Sequence, residues 1–274
     1  MTKVLGPEPG LPLAGRVAVV TGVGRRQGIG HAIAVRLVEA GASLLITHFS
    51  SHDAEQPWGA DTDAVLESIR SHVVTNTQRV IDLSVDLAEE GAPETVFARA
   101  LEAFDHVDIL ICAHARSGGD GRLGELSAAM LDAHWAVNTR SSLLLTQEFA
   151  RQHDGRRGGR VVLMTSGQQL GPMPGEIAYA SSKAALAGIT LTLADQLADE
   201  GITVNCVNPG PVNTGYMTPE FAEELVDFFP FGRIGVPDDP ARLIAWLVGD
   251  EGEWMTGQVL NSEGGFARWR SPSR

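Results

Sequence analysis

Short apolar runs recur along the chain at residues 17–21, 43–47, 79–85, 107–112, 160–165, 203–207 and 258–261, each rich in Val, Ile and Leu. The stretches between them repeat apolar residues at helical spacing, most clearly over 31–39, 64–72 and 179–199. Strands buried on both faces read as continuous apolar runs, and alternation with helices is the pattern of a parallel sheet covered on both sides. The predicted architecture is an α/β, Rossmann-type doubly wound parallel sheet of about seven strands, with ligands received at the carboxyl ends of the strands.

Some connections exceed the short loops usual in such folds. Residues 49–62 predict an extended loop, and 116–122, Arg-Ser-Gly-Gly-Asp-Gly-Arg, a mobile one. Residues 214–237 carry Tyr216, Met217, Phe221, Phe228, Phe229 and Phe231 between two strands, where a substrate lid belongs. One catalytic domain over 15–267 is expected, between a flexible Gly- and Pro-rich tail at 1–14 and a short tail at 268–274. No repeat of fixed period and no long linker divides the chain.

Composition narrows the function. With 43% hydrophobic and 20% charged residues the chain matches ordinary globular proteins. Its formal net charge of −13 argues against nucleic acid or an anionic membrane as partner, since phosphates are bound by clustered Lys and Arg. Cys112 and Cys206 each sit in an apolar strand run, which predicts buried free thiols in a reducing compartment. No signal peptide is evident, and no apolar run approaches the roughly 20 residues of a membrane helix, so a cytoplasmic location is expected. The histidines show no metal-ligand spacing, and no metal is expected.

The first apolar run leads into Thr21-Gly22-Val23-Gly24-Arg25-Arg26-Gln27-Gly28-Ile29-Gly30 and then a helical stretch. Glycines in such a turn let the backbone approach a pyrophosphate, which the free N–H groups of the helix start stabilise. Folds that prefer NAD place a carboxylate near the end of the second strand, to bond the ribose 2′-hydroxyl. Here that strand ends Thr47-His48-Phe49-Ser50, while Arg25 and Arg26 stand in the turn, ready to pair with a 2′-phosphate. The expectation is NADP(H), with NAD(H) the alternative and with His48 and Ser50 beside the adenosine ribose.

Tyr179-Ala180-Ser181-Ser182-Lys183 opens a long helical pattern, so the phenol and the ammonium share a helix face. Ser166 ends the strand before it. A glycine turn after the first strand, then Ser166, Tyr179 and Lys183, resembles the short-chain dehydrogenase/reductase family over residues 15–266. Asp86-Leu87 resembles the family's adenine-contacting pair, Asn138 its catalytic asparagine, and Pro209-Gly210-Pro211-Val212-Asn213-Thr214 the segment that embraces the nicotinamide.

The resemblance implies roles. Ser166 would hold the substrate carbonyl, Tyr179 would act as general acid or base, Lys183 would bond the nicotinamide ribose and lower the phenol pKa, and Asn138 would keep a relay water in line. Gly22, Gly24, Gly28, Ile29 and Gly30 would cradle the pyrophosphate, and Ala113 would offer backbone to the adenine ribose. It also implies a homo-oligomer, a dimer or tetramer, assembled through the helices at 141–150 and 184–197.

Two features depart from the family pattern. Gly22 and Gly28 enclose five residues where three are usual, and Cys112-Ala113-His114-Ala115 replaces the usual Asn-Asn-Ala-Gly. The second change removes side-chain bonds that brace the central sheet, and His114 is read as a packed or partly exposed bystander, with projection toward the active site as the alternative. Gln168, Gln169, Met173 and Glu176 are expected to border the substrate. The leading reading is an NADPH-dependent carbonyl reductase acting on a small molecule, similar to ketoacyl-thioester reductases. The alternatives are dehydrogenation of an alcohol, sugar or polyketide hydroxyl, and a non-catalytic cofactor sensor.

Overall fold

Strand β1 (Val17–Val20) is buried along its whole length, and its alternate side chains feed two separate cores. Ala18 and Val20 face one, with Ile33, Leu37 and Ile244, while Val17 and Val19 face the other, with Phe97, Leu145 and Phe149. This two-sided burial is what continuous apolar runs encode. The computed structural model describes residues 10–55, 59–215 and 217–267. Further strands are β2 (Ser43–His48), β3 (Val80–Ser84), β4 (Ile109–Cys112), β5 (Gly159–Met164), β6 (Ile202–Asn208) and β7 (Val259–Asn261). They form one seven-stranded sheet in the order β3-β2-β1-β4-β5-β6-β7, with parallel pairing throughout. The order reverses between β1 and β4, and a ligand cleft opens outside the strand ends at such a switch point.

One face is covered by α1 (Ile29–Glu39), α3 (Thr62–Arg70) and α9 (Asp238–Val248), and the other by α4 (Ala92–Phe104), α6 (Ser141–Gln152) and α7 (Ile177–Ala198). Truncating a fully buried side chain such as Leu110 or Phe149 to Ala would cost about 2–5 kcal/mol. Both cysteines are free and buried, and burial pushes the Cys112 thiol up to about 12.

Several expectations need correction. Within the predicted loop 49–62, Ser50–Glu55 forms a helix, α2; residues 56–58 lie outside the described residues. Leu13, assigned to a loose tail, is 1% exposed and its N–H donates to the Ala40 carbonyl at 2.8 Å; the remainder of that tail at 1–9, and the tail at 268–274, lie outside the described residues. The predicted lid contains α8 (Pro219–Val226); Phe229, Ile234 and Phe266 pack beneath it with Met217 and Leu225. Tyr216 lies outside the described residues. At 22 residues, α7 is long and apolar enough by composition to cross a membrane, against the expectation that no segment would be. One side of it packs on the sheet through Leu186, Ala194 and Leu197, and Leu191 on it is 67% exposed.

Candidate active site

A cleft of about 920 Å³ runs along the carboxyl ends of the central strands, from His48 and Asp53 past the glycine turn to Tyr179 and Thr214. At its centre Gly22 has φ 74°, and a Cβ there would stand 2.6 Å from the His114 Cα, so a side chain is excluded both by conformation and by space. A Cβ on Gly30 would meet the Gly22 carbonyl oxygen at 2.6 Å. Helix α1 starts at Gly28 with no side-chain cap, which leaves its first N–H groups for an anion. Arg25 and Gln27 of the turn lie against Gly215, where a Cβ would run into Gln27 Oε1 and stand 4.0 Å from an Arg25 Nη.

The expected adenosine-end residues divide. Arg25, His48, Asp86, Leu87 and Ala113 line the cleft, with Gly24, Gly28 and Ile29. Arg26 instead pairs with Asp61 at 3.2 Å, both side chains more than half exposed. Ser50 stands behind His48, its Oγ 2.8 Å from Nδ1, while His48 Nε2 lies 3.2 Å from Asp82. The premise that no carboxylate is near the second strand also needs correction. Asp53 on α2 packs against Gly24 and lines the cleft; burial raises its pKa, opposed by His52, His48 and Arg25. Its signal was present, since Ser50-Ser51-His52-Asp53 carries the Ser and acidic residue of a helix start.

At the other end, Thr214 lines the cleft, whereas Pro209 borders a smaller separate cavity with Phe229 and Glu263. Gly210, with φ 66°, packs on Glu263, and Val212 bridges to Gly235.

Of the four residues read as catalytic, Ser166, Tyr179 and Lys183 come together, while Asn138 is engaged on an adjacent turn. Ser166 follows β5, and its side chain lies near the half-buried phenol of Tyr179 on α7, close enough to oppose the rise in its pKa. Burial raises the phenol pKa, the nearby Ser166 hydroxyl lowers it, and Glu176 adds to the rise, so the net direction is upward. Lys183 lies one turn on, its Nζ 5.9 Å from the Tyr179 ring centroid and donating to the Met164 carbonyl at 2.9 Å. Burial pushes the ammonium pKa down to about 8. The lowering of the phenol expected from Lys183 is thus not the net effect.

Asn138 sits in a π-helical turn, Trp135–Arg140, between α5 (Ala128–His134) and α6, a distortion common at functional sites. Its Oδ1 accepts from the Arg116 N–H at 2.7 Å, and its Nδ2 donates to the Arg116 carbonyl at 3.1 Å and to Ser182 Oγ at 2.9 Å. The amide therefore fixes the loop at 116–119, which lines the cleft.

His114 is a brace rather than a bystander. Its Nε2 donates to the Val137 carbonyl at 2.9 Å and lies 2.7 Å from Ser141 Oγ, and Nδ1 is 2.6 Å from Thr21 Oγ1. A carbonyl only accepts, so Nε2 carries the proton and Nδ1 accepts from the threonine hydroxyl. Burial lowers its pKa to about 3, which keeps the ring neutral. One imidazole thus ties β1, β4 and the π turn together, replacing the absent asparagine bonds. Of the residues expected at the substrate border, Gln168 is half-buried and donates to Thr165 Oγ1 at 2.9 Å, and Gln169 and Glu176 are exposed. Among the described residues no group of His, Cys, Asp or Glu is arranged to hold a metal.

Comparison with known proteins agrees with this geometry. Residues 22–267 match the family model described as enoyl-(acyl carrier protein) reductase. The chain is 42% identical over 255 residues to the uncharacterized oxidoreductase YjdA of Bacillus subtilis, covering 92% of this chain and 97% of that one. It is 37% identical to the NADPH-dependent aldehyde reductase-like protein, chloroplastic, of Arabidopsis thaliana, covering 94% and 97%. A solved short-chain dehydrogenase/reductase from Serratia marcescens superposes with a TM-score of 0.80 at 35% identity, over 93% of this chain and 99% of that one. The chain is an oxidoreductase belonging to the short-chain dehydrogenase/reductase family.

Proposed function

We propose that the protein is an NADP(H)-dependent reductase of small aldehydes or ketones, with Tyr179 as the proton donor. The observation that carries this reading is the Tyr179 phenol, with Ser166 beside it, at one end of a cleft whose centre is the close-packed glycine turn.

The residues present fit a dinucleotide. Gly22, Gly28, Ile29 and Gly30 would hold its pyrophosphate at the α1 start, Arg25 its 2′-phosphate, and Asp86, Leu87 and Ala113 its adenosine, with Thr214 beside the nicotinamide. When bound, the nicotinamide supplies the hydride. Ser166 polarises the substrate oxygen, and Tyr179 delivers its phenolic proton to that oxygen as charge develops there. Burial keeps the phenol protonated at neutral pH, and this is the form that reduction consumes. Lys183, with its pKa near 8, keeps its proton at neutral pH and stabilises the phenolate left behind. Asn138 contributes by holding the cleft-lining loop. The name of the Arabidopsis relative supports both the cofactor and the carbonyl class.

The exposed Leu191 on α7 and the 95%-exposed Trp254 support assembly with further copies, as the family resemblance implies; a sedimentation mass of a single chain at micromolar concentration would refute it.

The test mixes the protein with NADPH or NADH and a panel of aldehydes and ketones, following loss of reduced-nicotinamide absorbance. Consumption of NADPH with at least one carbonyl class, and tighter binding of NADPH than NADH, are expected. No consumption above the carbonyl-free blank would overturn the activity, and equal affinities would overturn the cofactor preference.

A further inference from the structure

The loop expected to be mobile carries a carboxylate tied to the first turn of the helix that bears Tyr179. Asp120 Oδ1 accepts from the Ala178 N–H at 2.9 Å, and Oδ2 accepts from the N–H of Tyr179 itself at 2.7 Å. The Gly121 N–H also reaches Oδ1, at 2.7 Å. Glu176, at the N-cap position of α7, gives the helix no side-chain cap, so Asp120 supplies the cap from elsewhere in the chain. A carboxylate suits that position because it faces both unpaired N–H donors and the positive end of the helix dipole.

The same loop is held at its other end, where the Asn138 amide bonds both backbone groups of Arg116. Between the two anchors, Ser117, Gly118 and Gly119 line the cleft. Asp120 is thus the fixed point where the cleft wall meets the residue read as the acid. The charged groups around this junction are Lys183 and Glu176 toward Tyr179, and His134 toward Asp120.

We propose that Asp120 is a positioning residue for proton transfer: by holding the Ala178 and Tyr179 N–H groups, it sets the phenol against Ser166 and couples that placement to the loop that walls the cleft. The inference rests on the reading of Tyr179 as the acid. Burial alone would raise the Asp120 pKa, yet its bonds to Tyr179, Ala178 and Gly121 outweigh this and hold it below the usual carboxylate range. Those bonds are made by the ionised carboxylate, the form the lowered pKa favours.

The chain has only two tyrosines, Tyr179 and Tyr216, so in a Tyr216→Phe background the tyrosinate absorbance reports Tyr179 alone. Two variants are compared in that background. Asp120→Ala is expected to lower kcat at least tenfold, with the NADPH dissociation constant changed less than threefold. Asp120→Asn, whose single amide oxygen can still accept one of the two N–H groups, is expected to recover part of kcat. Both should show more tyrosinate at a given alkaline pH, by a downward shift of roughly half a unit, because a negative charge has left the helix start.

If Asp120→Ala melts earlier yet keeps wild-type kcat and tyrosinate titration, Asp120 is a structural cap only and the inference is overturned. Should the Ala variant fail to fold, Asp120→Ser, with a neutral acceptor, is held to the same outcomes. Tyr179→Phe separates the two levels of the argument. An active Phe variant defeats the acid assignment itself, whereas an inactive one beside an unimpaired Asp120→Ala defeats the role of Asp120 alone.

Discussion

The Thr21 hydroxyl lies 2.6 Å from His114 Nδ1, and through that bond the end of the first strand is fastened to the fourth-strand turn and the π-helical turn beyond it. The ring is neutral and buried, with a pKa near 3 against an ordinary 6.5. Its folded-state pKa lies below the unfolded value, so the unfolded chain binds the extra proton between the two. Stability is intact above pH 6.5 and falls as pH drops toward 3.

Removing the ring should therefore cost stability while flattening its acid sensitivity. His114→Ala is expected to lose about 2–4 kcal/mol at pH 7, since it opens a cavity and removes the ring's bonds to Thr21, Ser141 and the Val137 carbonyl. Its unfolding free energy should decline less steeply than wild type between pH 6.5 and 4. Urea denaturation across that range measures both, and an unchanged slope would contradict the brace.

The two arginines of the glycine turn are predicted to behave differently, although they are adjacent. Arg25 lines the cleft, whereas Arg26 is turned to Asp61. Arg25→Ala should weaken NADPH binding about tenfold with little effect on NADH, the size of a lost charge-assisted phosphate contact. Arg26→Ala should change it less than about twofold, as expected for an exposed pair. Asp53→Asn should move the other way and tighten NADPH, because the carboxylate shares that end of the cleft with Arg25. Calorimetric titration of both cofactors distinguishes these outcomes.

Much of this was legible in the chain. Glycine turn, Tyr179 and Lys183 are local patterns, fixed by a strand-to-helix turn and by helical spacing, so their residues alone place them. The parallel sheet of about seven strands followed because runs such as 109–112 are apolar on both faces, whereas their order across the sheet was not written in them. What escaped is long-range or punctuated. Asp120 meets Ala178 across 58 positions, and no local periodicity encodes that meeting. Helix α2 is six residues long and is soon followed by Pro57 and Gly59, so its apolar pattern never completes a period. His114 carries no sign of its partners, since Thr21 and Val137 become its neighbours only when the sheet forms.

Lys183 is predicted to trade stability for function. Its pKa near 8 lies below the ordinary 10.5, so the folded state binds the proton less tightly than the unfolded one. The cost is present in full below pH 8 and disappears as pH rises toward 10.5. Lys183→Met should therefore be more stable than wild type at pH 7, by on the order of 2 kcal/mol after the lost bond to Met164 is counted. The advantage should shrink above pH 8 while turnover stays abolished. Thermal unfolding at pH 7 and pH 9.5 checks the sign, and a destabilised variant at pH 7 would contradict it.

The central claim is that the Tyr179 phenol, beside Ser166, delivers the proton. Its most direct test is Tyr179→Phe, assayed for NADPH-dependent carbonyl reduction and, in parallel, for NADPH binding by nicotinamide fluorescence. The account predicts turnover reduced by about 10²- to 10⁴-fold, with the NADPH dissociation constant within a few-fold of wild type. A Phe variant that binds NADPH and reduces the same carbonyl at the wild-type rate would contradict it.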